Sequence, residues 1–167
     1  QELTGDEKLE LLQTRINNSV FLFDYEEALK STEDLLASDS ITDEQKEEHE
    51  NTRLIYRTLK DIPEQTVLLQ RSELPITKDF AGLSRISVSL NSLEQKVVFD
   101  TGANFSVITD SLALRAGVEI IGETFKVKAI TGGKVDSRIG IADSLKIGNS
   151  VLRNVVFLVF PEASLSF

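Results

Sequence analysis

The chain has 167 residues, 41% of them hydrophobic, and a formal net charge of −9. That length holds one medium domain or two small ones around a feasible core. The acidic balance leaves no basic face for nucleic acid or an anionic membrane surface, the lack of cysteine excludes disulfides and thiolate chemistry, and one histidine, His49, excludes a histidine-rich zinc site.

The charge is unevenly spread. Residues 1–60 carry fifteen acids against seven bases, and the remainder twelve against eleven. Two parts with different surfaces are therefore expected. No apolar run reaches the length of a membrane helix. Methionine is absent even from position 1. A processed chain is expected, with a secretory signal removed and an extracytoplasmic (periplasmic or secreted) location.

Residues 4–60 read as helical. Thr4-Gly5-Asp6-Glu7 has the spacing of a capping box, and Leu9, Leu12 and Ile16 follow at helical period. A second helix is predicted from Asp24 to Ala37, with Tyr25, Ala28, Leu29, Leu35 and Leu36 as its apolar stripe and Phe21 and Phe23 packing beneath it. Tyr25-Glu26-Glu27-Ala28-Leu29-Lys30 resembles the start of a tetratricopeptide-type helix, without the repeat period. Thr42 to Gln45 forms another capping box. The helix it opens is polar until Leu54, so His49 among Glu47, Glu48 and Glu50 reads as a solvated face. Pro63 ends the helical region.

From Thr66 the texture changes to short β segments. Thr66 to Gln70 is one, with an edge segment possible beyond Pro75. Arg85 to Leu90 alternates with period two, Asn91-Ser92 turns the chain, and Lys96 to Phe99 returns as a hairpin. After Ile108, Thr109 or Asp110 caps a short helix over Ser111 to Ala116, stopped by Gly117. Thr124 to Ile130 and Val135 to Ala142 form a second hairpin around Thr131-Gly132-Gly133-Lys134. Leu145 to Ile147, a Gly148-Asn149 turn and Val155 to Phe160 complete the β region. Asp110, Asp136 and Asp143 read as turn and cap residues.

Chemistry concentrates at Val97-Val98-Phe99-Asp100-Thr101-Gly102-Ala103. A carboxylate ending an apolar strand is costly to bury unless it is hydrogen-bonded or shares a proton. Asp100 is thus either a well-satisfied turn residue or a working group.

The order of strand, Asp-Thr-Gly-Ala turn, strand, short helix and glycine-tipped hairpin resembles the retropepsin-like aspartic proteases. Bacterial members with N-terminal extensions are most similar. The resemblance implies an α+β chain. Residues 1–63 form a helical hairpin or bundle, and residues 64–167 a closed β-barrel lacking its C-terminal part. It implies that Asp100 is catalytic, that Thr101, Gly102 and Ala103 support its turn, and that Thr131, Gly132, Gly133 and Lys134 form a flap over a peptide or protein substrate. No metal or cofactor is implied. Two carboxylates sharing a proton would hydrolyse the amide, one taking a proton from water and the other donating to the carbonyl. The chain has one such motif, so the dyad implies a homodimer with Asp100 on the twofold axis. Ala103 offers the carboxylate no hydroxyl, which implies a less acidic pH optimum than in relatives with Ser there. The alternative is a non-catalytic peptide-binding protein of the same fold, or an inactive precursor or fragment.

Overall fold

The computed structural model describes residues 4–103, 105–128 and 133–164. It divides into two compact units, one of residues Gln1–Ile62 with Gly122–Lys134, the other of Pro63–Ile121 with Val135–Phe167.

The first unit is built on α1 (Gly5–Phe21), α2 (Tyr25–Leu36) and α3 (Asp43–Leu59). Both capping boxes form: Thr4 with Glu7, and Thr42 with Gln45. Asp24 caps α2, its Oδ1 accepting from the Glu27 N–H at 3.0 Å. The helices pack in succession, α1 on α2 and α2 on α3. Their buried residues include Ile16, Ala28, Leu35 and Leu59, and the rings of Tyr25 and Tyr56 stack at 6.3 Å. Arg15 pairs with Glu27 across the α1–α2 contact. Phe21 differs from expectation, being 80% exposed. The buried face of α1 is marked by Ile16 and Ser19. At 3.6 residues per turn, a residue two beyond Ser19 falls on the opposite side.

Among the described residues the strands form one eight-stranded sheet, accompanied by one short α-helix. Its strands are β1 (Thr66–Leu68), β2 (Thr77–Lys78), β3 (Ser84–Leu90), β4 (Leu93–Val98), β5 (Ser106–Thr109), β6 (Glu119–Lys128), β7 (Lys134–Ile147) and β8 (Ser150–Phe160), with α4 at Asp110–Arg115. Strands β6 and β7 pair, and the hairpin they form carries Gly122–Lys134 into the helical unit. The path β1-β8-β7-β3-β2 is branched by β4 on β3, β5 on β8 and β6 on β7. Length makes this possible. Strand β8 pairs with β7 along one edge, and its other edge is shared between β1 at Val151–Arg153 and β5 at Phe157–Phe160.

The β3–β4 hairpin closes in register Leu90↔Leu93 over Asn91-Ser92, whose φ values of 44° and 72° are those a type I′ turn requires. Thr109 caps α4, and Gly117 follows it with φ 64°. Leu90, Ile108, Ala113, Ala116, Val118, Ala142, Val155, Phe157 and Val159 form one core cluster. Strand β7 runs unbroken from Lys134 to Ile147, where separate segments were predicted, because β8 pairs with it on both sides of Asp143. No described helix is long and apolar enough to cross a membrane.

Candidate active site

Two ladders hold the Asp100 turn. On its N-terminal side β4 pairs with β3 as far as Arg85↔Val98, and the Phe99 N–H donates to the Ser84 carbonyl at 2.8 Å. On its C-terminal side β5 runs parallel to β8, from Ser106↔Phe157 to Thr109↔Phe160, with Ile108 buried in the core. The chain between them reverses at Asp100-Thr101-Gly102.

There the Gly102 N–H donates to Asp100 Oδ1 at 2.9 Å. One carboxylate oxygen thus closes an Asx-type turn while the other is left for external chemistry. Gly102 is not among the glycines with positive φ. A Cβ built on it would stand 3.4 Å from that same Asp100 oxygen, an ordinary contact distance. Asp100, Thr101, Gly102 and Ala103 are all exposed. Among the described residues, no hydrogen bond joins Asp100 to another acid, and the Thr101 hydroxyl has no partner. Val98, Phe99 and Val107 flank the turn and are 37%, 47% and 42% exposed. Exposed apolar side chains on the strands that flank the turn are a surface suited to contact.

The residues expected to form a flap lie apart from this turn in the division of the chain. Thr131 and Gly132 fall outside the described residues. Gly133 is exposed, with open space where a Cβ would stand, and Lys134 opens β7. Lys134 belongs to the helical unit, where its ammonium pairs with the Glu47 carboxylate. That lysine, through its hydrogen bond first and its charge second, holds the Glu47 carboxyl below its ordinary range. The α3 face read as merely solvated therefore carries a specific partner. Nothing local in the sequence announces this, since the pairing spans most of the chain. Burial lowers His49 from its ordinary value, against the opposing charge of Glu48.

Asp79 and Asp110 have structural partners. Asp79 Oδ2 accepts from Arg85 Nε at 2.8 Å, and its Oδ1 accepts from the Ala81 and Leu83 N–H groups. Desolvation would raise its carboxyl, but these bonds together hold it below the ordinary range. Asp110 Oδ1 accepts from the Ser111 N–H at 2.8 Å, a role at the start of α4.

Residues 86–166 match the family model described as aspartyl protease. No curated protein matches the chain. Among solved structures that match is a retropepsin-like aspartic protease from Rickettsia conorii. It is 17% identical, the match covers 59% of this chain and 72% of that one, and the TM-score is 0.37.

Proposed function

We propose, on the match of residues 86–166 to the aspartyl protease family model, that the chain is one half of an aspartic endopeptidase with Asp100 as its catalytic acid. The observation that carries the reading is the Asp100 turn itself. Its carboxylate is exposed, set between two strand ladders and fixed at one oxygen by the Gly102 N–H.

A twofold mate would bring a second Asp100 against the first. Two carboxylates so close cannot both ionise, so one keeps a proton. The ionised one takes a proton from water as that water attacks the scissile carbonyl, and the protonated one donates to the carbonyl oxygen. Val98, Phe99 and Val107 supply apolar surface for the mate or for substrate side chains. The homodimer, the peptide substrate and an extracytoplasmic location are parts of this reading.

Asp100→Asn tests it. The variant should keep the wild-type circular dichroism and melting temperature and lose hydrolysis of denatured casein. Equal cleavage by both proteins would overturn the assignment. Binding of casein by wild type and variant alike, with cleavage by neither, would establish the non-catalytic peptide-binding alternative instead.

A further inference from the structure

The hairpin of β6 and β7 makes four side-chain contacts with one helix. From Gly122 to Lys134 it belongs to the helical unit. The Glu47 carboxylate of α3 pairs with the Lys134 ammonium on β7. Asn51 Oδ1 accepts from the Lys126 backbone N–H on β6 at 3.0 Å. Arg57 Nη2 pairs with Glu123 Oε1 at 2.9 Å. Thr58 stands against Gly122, where a Cβ would meet the threonine hydroxyl oxygen at 2.5 Å and its methyl at 2.7 Å. Gly122 also has φ 72°, a conformation that favours glycine.

Residues 47, 51 and 58 are spaced by four and seven, which sets them along one face of a helix. Together with Arg57 they reach both strands of the hairpin, three contacts falling on β6 and one on β7. A helix bound to both strands fixes the hairpin against rotation and shear. The Asn51 contact is to backbone, so it defines where the β6 main chain runs. Surface charge pairs alone are worth little. The amide bond and the glycine fit give the arrangement its specificity.

We propose that α3 is a positioning element for this hairpin, with Glu47, Asn51 and Thr58 as positioning residues that fix the strand edges on which an extended peptide docks. The inference rests on the protease reading in one respect, that this hairpin is the substrate-binding one. It gives the helical region a role in peptide binding through the hairpin, without chemistry of its own.

The test uses the full chain and two readouts. Amide hydrogen exchange follows the hairpin directly, and KM and kcat on denatured casein follow its consequence. Asn51→Ala should speed exchange of the Lys126 amide by about threefold to tenfold, the weight of one hydrogen bond. Glu47→Lys, which sets two ammonium groups together, should speed exchange around Lys134 and raise KM more than it lowers kcat. Combining Glu47→Lys with Lys134→Glu should restore the slow exchange, which a general loss of stability would not do. Exchange unchanged in both single variants overturns the inference, as does faster exchange with an unmoved KM. Casein affinity in the Asp100→Asn background separates the two readings. An inactive wild type sinks the protease reading alone, whereas affinity that ignores Asn51 and Glu47 sinks this one.

Discussion

Asn91 and Ser144 hold each other by two hydrogen bonds of 2.9 Å, one from the Asn91 N–H to the Ser144 carbonyl and one from the Ser144 N–H to Asn91 Oδ1. The Asn91 amide also donates to the Gly117 carbonyl at 3.3 Å. One turn residue thus ties the β3–β4 hairpin to β7 and to the end of α4. Asn91→Ala removes the side-chain bonds and leaves a non-glycine residue at φ 44°. It should cost about 1–3 kcal/mol in chemical denaturation. Asn91→Gly, which suits the φ but lacks the amide, should cost less than Asn91→Ala.

Gly140 is buried on β7, opposite Phe157 of the antiparallel β8. A Cβ there would stand 2.7 Å from Val159 Cγ2 and 2.9 Å from Val118 Cγ1. Gly140→Ala should destabilise by about 1–3 kcal/mol through overpacking. The double variant with Val159→Ala should be less destabilised than the sum of the two single changes, because the second makes room for the first.

The Glu47–Lys134 pair carries a pH signature. The Glu47 carboxyl lies below its ordinary value of 4.5. A group with a depressed folded pKa contributes stability in full above the ordinary value and loses it as pH falls through the depressed one. Limited proteolysis of the hairpin should therefore be flat from neutral pH down to the ordinary value, and faster below it. In Glu47→Gln this acid-dependent rise should be diminished.

Tyrosine reports on the helical unit alone, since Tyr25 and Tyr56 are the two tyrosines of the chain and tryptophan is absent. Burial first, and the neighbouring Tyr25 second, push the Tyr56 phenol up to about 12. Burial also raises Tyr25. A raised phenol contributes stability that is complete below the ordinary 10.0 and lost as pH rises through the folded value. Alkaline titration should show tyrosinate absorbance delayed past pH 10 and accompanied by loss of helical circular dichroism. Tyr56→Phe should delay that loss further.

The features legible in the sequence are those whose cause is local. The two capping boxes, the Asn91-Ser92 turn, the Thr109 cap and the Gly117 stop each depend on residues within a few positions of one another. The Asp100 turn was legible for the same reason, since Asp-Thr-Gly between apolar strands is a contiguous signal. What escaped is non-local. Strand β6 begins at Glu119, five residues before the predicted start, and accommodates the positive φ of Gly122 within the strand. Ser137 is buried in a strand because its hydroxyl can donate to the Val159 carbonyl at 3.3 Å, a partner set by strand register. The contacts of Glu47, Asn51, Arg57 and Thr58 with the hairpin join segments far apart in the chain, and helical periodicity carries no trace of them.

The parallel pairing of β5 with β8 has a kinetic consequence. The segment leaving the Asp100 turn is tied to Phe157–Phe160 at the C-terminal end of β8. Long-range parallel pairing forms late, because loop-closure entropy must be overcome before the contacts reward it. The Asp100 turn therefore gains its second ladder only once β8 has joined the sheet. During synthesis, a partly folded chain would hold this acid on a loop tethered only by the β3–β4 hairpin, and its geometry would mature together with β8.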